Sequence, residues 1–213
     1  MDSSQPRIRV SSPADVLAIV PHLLGFHPSD SFVVIGVRGD GDRIELGFRY
    51  DLPAERDTGA AGVIASHAVT VLAHRQLATV IAVGYGPGPR VTPAADAFAA
   101  AAAREGLRLI ELLRAEGDRY WSYLCGDVRC CPPEGTPFDY RSHPAAALMT
   151  AAGLPAHRDR AARANTLLPV TGQQAQAMDQ ALERAIKHAG ALVARAVQAG
   201  IRNQSRFVIE EGR

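Results

Sequence analysis

Lysine is almost missing from this chain. Lys187 is the only one among 23 basic residues, which removes amine nucleophiles, Schiff bases and a lysine-type phosphate loop from everything that precedes it. An excess of either charge is missing too. With 23 Lys plus Arg against 22 Asp plus Glu, the net charge is +1, so no field gathers nucleic acid or anionic lipid, and nucleic acid is not an expected partner. No apolar run approaches the roughly 20 residues that cross a bilayer, and residues 1–12 are too polar for a secretory signal. The expectation is a cytoplasmic protein with no membrane partner. No complete catalytic or cofactor fingerprint is present either, so the sequence assigns no cofactor.

What is there reads as globular. Hydrophobic residues make up 47% and charged residues 21% of the 213, enough for one domain of about 150 residues with a helical appendage. Ser12-Pro13 is an N-cap and first-turn pair ahead of Val16, Leu17, Val20 and Leu24, which predicts a helix over 13–24 closed by Gly25. Phe32 to Val37 is a continuous apolar run of strand length, the pattern of a strand buried on both faces. Gly39-Asp-Gly-Asp42 supplies a turn, after which Ile44, Leu46, Phe48 and Tyr50 alternate with polar residues. A helix is expected over 60–75, a buried strand over 78–83, and an alanine-rich helix that Thr92-Pro93 would open. Strands at 107–113 and 119–125 follow. Beyond the cysteines the pattern is helical, with a short helix near 143–152 and a long one behind the capping box Thr171-Gly-Gln-Gln174.

These blocks carry a resemblance. Pro21-His-Leu-Leu-Gly-Phe-His-Pro-Ser-Asp-Ser31 before a valine-rich strand, Asp51-Leu-Pro53, Gly84-Tyr-Gly86, Trp121-Ser-Tyr-Leu-Cys125 and Cys130-Cys-Pro-Pro-Glu-Gly135 together resemble an actinobacterial family, domain of unknown function 4192. The resemblance spans about residues 10–140. It implies an actinobacterial origin and a chain shorter than is common in the family, and it transfers no reaction, substrate or cofactor.

The expected fold is α/β, a mixed and mostly parallel sheet of about five strands with packed helices in a core domain over 10–140, then a helical C-terminal extension over 141–213. Connections through helices make the strands near 43–50, 78–83 and 107–113 run one way and those near 32–37 and 119–125 the other. Open α/β sheets bind ligands beyond the carboxyl ends of their parallel strands. That edge collects Asp51, Gly84, Tyr85 and Gly86 with the entry residues His27, Ser31 and Arg119, and sends the cysteines to the opposite edge. The site reading is a small-molecule enzyme or metabolite-binding protein. Gly84, Tyr85 and Gly86 would grip an anionic small molecule beside Ser31, Arg119 would neutralise it, and His27 and Asp51 would act as acid or base. Each residue also has a structural account: a polar turn at 27–31, an Arg49–Asp51 pair, and glycines in a tight connection.

The alternative belongs to another class, a noncatalytic interaction or assembly module whose helical tail docks a protein partner and whose cysteine loop is structural. An unfilled apolar face on residues 172–200 would favour it. Cys125-x4-Cys130-Cys131 could offer zinc three thiolates, with His143 or Asp127 as a fourth ligand, yet adjacent cysteines depart from the paired-knuckle spacing. The expectation is therefore buried, unreactive thiols beneath the sheet and no metal, with Trp121 and Tyr123 forming a core stripe against a helix.

Overall fold

The apolar run at 32–37 needs helices on both faces and hydrogen-bond partners on both edges. The computed structural model, which describes residues 10–39, 43–55, 57 and 59–210, supplies all four. Strand β1 (Ser31–Arg38) lies between β2 (Arg43–Asp51) and β3 (Thr79–Tyr85), antiparallel to each. Beyond β3 come β4 (Arg108–Glu116), β5 (Arg119–Ser122) and the two-residue β6 (Thr136–Pro137), in the order β2-β1-β3-β4-β5-β6. Residues 40–42 of the expected turn lie outside the described residues.

A mostly parallel sheet of about five strands is thus corrected to six strands with one parallel pair, β3 with β4. The strand directions are as the connections require, since β2, β3 and β4 all run the same way. The error is in adjacency. β1 is buried at every position from Ser31 to Val37, whereas β2 alternates with exposed residues, so β1 takes the interior place and β2 the edge.

Helix α1 (Pro13–Leu24) starts at a capping box in which the Asp15 amide donates to Ser12 Oγ at 3.2 Å and the Ser12 amide to the Asp15 carboxylate at 3.0 Å. It buries Val16, Leu17 and Val20 against Val33, Ile35, Ile81 and Val83, each side chain contributing about 1.5–3 kcal/mol. Helices α2 (Ala60–His74) and α3 (Gly88–Arg104) cover the other face, over Phe32, Val34, Val80 and Ala82. A bulge in β2 sends Ile44 to the α1 face while Leu46, Phe48 and Tyr50 face α2 and α3, which breaks the single-faced alternation that the sequence suggests. Behind α1 sits α4 (Pro144–Ala151), packed through Ala18, Ile19, Ala145, Ala146 and Met149.

Helix α3 begins at Gly88, with Pro87 as its cap, one turn before the expected Thr92. Pro89 stands in the first turn, where a missing amide costs nothing. Thr92 instead exchanges a hydrogen bond with the Tyr123 hydroxyl at 2.8 Å. The chain parts into two compact units, one reaching Thr166 and the other beginning at Leu167. The first also holds α5 (Arg160–Asn165); the second is the 39-residue α6 (Gly172–Glu210) with its lead-in. Among the described residues no helix is long and apolar enough to cross a membrane.

Close packing of α3 on β3 depends on Gly84, because a Cβ there would run into Val91 Cγ1. Gly84→Ala is therefore expected to cost about 1–3 kcal/mol in chemical denaturation, and Val91→Ala in the same chain should recover part of that loss. Equal stability of Gly84→Ala and wild type would contradict this packing.

Candidate functional site

Register brings the expected edge together. Ser31 faces Asp51 on one side and Tyr85 on the other, Tyr85 faces Ala115, and Glu116 faces Arg119. The side chains there are largely spent on one another. Arg49 donates to Ser31 Oγ at 3.0 Å and pairs with Asp51, which holds the exposed Asp51 carboxyl below its ordinary range; Arg160 adds to this from 3.6 Å. Ser31 Oγ itself donates to the Ser29 carbonyl at 2.6 Å.

Arg90 ties three segments. It pairs with Asp30 and donates to the carbonyls of Leu52 at 2.9 Å and Pro53 at 3.1 Å, so it fixes the exit of β2 to the entry of β1. Arg119 donates to the carbonyls of Gly135 at 2.7 Å and Glu134 at 3.4 Å, holding the segment that leads into β6. The loop after β3 spends its amides in the same way. Gly86 donates to the Ala115 carbonyl at 2.9 Å, Arg90 and Val91 donate to that of Pro87, and Pro87 and Pro89 have no amide hydrogen. Gly88 is left as the amide this loop can offer an anion.

His27 is not beside Asp51. It stands edge-on to Tyr140 with ring centroids 4.2 Å apart, and the Tyr140 hydroxyl lies 2.6 Å from Nε2 of buried His22. Because His22 Nδ1 is 2.6 Å from the Leu154 carbonyl, Nδ1 carries the proton and Nε2 accepts from Tyr140 when the ring is neutral. Burial, helped by the neighbouring His22, lowers the pKa of His27. Burial also raises that of Tyr85, to which Tyr140 adds, and the buried Tyr85 hydroxyl finds no hydrogen-bond partner among the described residues. A broad open groove lies elsewhere, between the outer faces of α2 and α3, lined by Gly62, Val63, Ser66, Thr70, Ala97 and Ala100.

The cysteines correct the expectation of buried thiols. β5 ends at Ser122, and the chain leaves the sheet before Cys125, so Cys130 is exposed and Cys125 and Cys131 are half-buried. Their three sulfurs nevertheless lie within 4.8 Å of one another. A hydrogen bond from the Cys131 thiol, with the Asp127 backbone adding to it, favours the Cys125 thiolate and lowers its pKa, while the same contact with Cys125 pushes Cys131 up to about 12. Amides of Cys130 and Cys131 both donate to the Asp127 carbonyl, at 3.0 and 2.7 Å. His143 is not with them. It caps α4, where its Nδ1 accepts from the Ala145 amide at 3.3 Å, and its Nε2 is 3.7 Å from Asp15.

Trp121 pins this loop instead of joining a core stripe. Its indole donates to the Pro133 carbonyl at 2.9 Å, the Arg114 guanidinium covers its ring at 3.6 Å, and a Cβ on Gly135 would come within 2.6 Å of it. The Arg49–Asp51 pair is the one the sequence suggests, whereas Arg114 and Tyr140 were not among the sequence-predicted residues. An arginine such as Arg114 carries no sign of an aromatic partner on the next strand, and Tyr140 sits in a turn-rich stretch without periodicity.

His27 has a consequence for stability. Its folded pKa lies below the ordinary value of 6.5, so the unfolded chain takes up the proton first. Stability contributed by the neutral ring is present above 6.5 and declines as pH falls from there towards the folded pKa. Denaturation free energies measured across this interval should fall with pH in wild type and fall less in His27→Gln; parallel curves would refute the assignment.

No curated protein matches the chain. The family model described as Domain of unknown function (DUF4192) matches residues 13–213, from the first residue of α1 through the sheet edge, the cysteine loop and α6. The chain belongs to that family.

Proposed function

We infer that the chain is a noncatalytic assembly module in which α6 pairs with α6 of a second copy. The observation that carries this reading is an exposed apolar stripe along α6: Met178, Leu182, Ile186, Leu192, Val193 and Val197 are each at least half exposed. They recur at helical spacing with Ala189 among them, while Glu183, Arg184, Lys187 and Arg195 fall on the opposite side of the helix. The stripe runs over residues 178–197, about 30 Å of helix, and an exposed apolar face of that length argues for a partner. One apolar face with charged residues on its far side suits association with the same face of a second copy. The sheet edge supports the same reading by its economy, since Arg49, Arg90 and Arg119 already have partners within the chain.

A second reading keeps the sheet edge as the site of a small-molecule enzyme or metabolite-binding protein. Gly84, Tyr85, Gly86, Ser31 and Arg119 would hold an anionic ligand, with His27 and Asp51 as acid or base. The unpartnered Tyr85 hydroxyl supports it, because a buried hydroxyl left without a bond costs about 1–3 kcal/mol that a ligand or water oxygen would return.

Sedimentation velocity on the full chain tests the first reading. A dimer is expected, and Ile186→Asp should raise its dissociation constant at least about tenfold while leaving the Trp121 fluorescence of the sheet unit unchanged. A chain that remains monomeric at every concentration, or an Ile186→Asp dimer as tight as wild type, would overturn it.

A further inference from the structure

We propose that Cys125, Cys130 and Cys131 form a metal site that takes one zinc ion through three thiolates, leaving its fourth position open. The first support is geometric. Tetrahedral zinc with Zn–S bonds of about 2.3 Å sets its sulfurs about 3.8 Å apart, and the three sulfurs here lie within 4.8 Å of one another. Movements of about 1 Å or less would bring them to zinc-binding distance. A disulfide requires about 2.05 Å, a larger displacement that uses two of the sulfurs and strands the third.

The second support is that the loop holds this arrangement without the sulfurs' help. Both ends are fixed, by β5 pairing with β4 and by Arg119 on the Gly135 carbonyl. Within it, Trp121 binds the Pro133 carbonyl, the Gly135 amide donates to that of Pro132 at 2.9 Å, and the Asp127 carbonyl gathers the amides of Cys130 and Cys131. Asp127 also caps its own turn by accepting from the Arg129 amide at 2.9 Å. These bonds account for the course of the backbone but give no reason for three cysteines on it. Packing gives none either, because Cys130 is exposed and the others are half-buried, whereas cysteines kept for packing are among the most buried residues.

Ligand chemistry selects the metal. Three soft sulfurs, with no carboxylate grouped with them among the described residues, disfavour calcium and magnesium and favour zinc. His143, the histidine that sequence spacing offers as a fourth ligand, is occupied at the start of α4. The Asp127 carboxylate, the other candidate, is engaged by Arg129, so the fourth position would hold water or a group brought by a partner. Three thiolates with Zn2+ give a site of net charge −1, so an electron-pair donor at that position is neutral more readily than anionic. This proposal does not rest on α6.

The test uses the full chain, reduced and exchanged into metal-free buffer, then titrated with zinc and, separately, with cobalt. The expected result is one zinc per chain by elemental analysis and an intense thiolate-to-cobalt charge-transfer band, with a change in Trp121 fluorescence as the loop tightens. Cys125→Ser, Cys130→Ser and Cys131→Ser should each weaken zinc by about tenfold or more, with far-ultraviolet circular dichroism showing that each variant is folded. Two results would overturn the proposal: a fully reduced wild type, all three thiols reacting with a thiol reagent, that binds neither metal; or a folded triple-serine variant that binds zinc as wild type does.

Discussion

The demand that β1 be covered on every side organises this molecule. Phe32 and Val34 on one face and Val33 and Ile35 on the other are almost completely buried, which is possible only for a strand with neighbours on both edges and helices on both faces. Hairpin partner β2 takes one edge and β3 the other. Gly36 shows how close the cover is, since a Cβ there would meet Leu77 at 2.5 Å and Leu72 at 2.9 Å. The same placement gathers Ser31, Asp51 and Tyr85 at one end of the sheet, so the edge that resembles a ligand site follows first from the needs of the core.

That edge is closed by its own arginines. Arg90 joins the loop after β2 to the entry of β1, and Arg49 bridges Ser31 and Asp51. In both cases the guanidinium fork satisfies several oxygens at once, which a lysine ammonium does with less geometric definition. Among the described residues the buried Tyr85 hydroxyl is left without a partner at that edge, and the exposed apolar stripe on α6 and the clustered thiols beyond β5 lie away from it. A packed scaffold with an exposed helix face and a thiol loop is the physical picture behind the proposed assembly module.

Much of the fold was legible because local chemistry and tertiary demand agree. Ser12-Pro13 opens α1, Gly25 closes it at φ 79°, and the unbroken run at 32–37 is the interior strand. Strand order was not legible, because direction follows from connections while adjacency follows from which strand is the more apolar on both faces. Thr92-Pro93 misled because the preceding Pro87-Gly88-Pro89 can also start a helix, and the chain takes the earlier start. The strand directions placed the edge residues Asp51, Tyr85 and Arg119, and the Arg49 partner of Asp51 was readable two residues before it, whereas the Gly135 carbonyl that Arg119 holds is 16 residues away and leaves no local pattern. The three cysteines are visible in the sequence as thiolates for a metal, but adjacent cysteines depart from the familiar spacing and argue against it, and it is the turn at Asp127 that brings their sulfurs together.

The account's central claim is that the sheet unit is complete in itself and that α6 supplies the contact between copies. Hydrogen–deuterium exchange followed by mass spectrometry at a series of protein concentrations reads both halves of it. Amides within residues 172–200 should become more protected as concentration rises, while those of β1 and β3 exchange slowly and identically throughout. Exchange over 172–200 that does not change with concentration, or concentration-dependent protection appearing in β1 and β3 instead, would contradict it.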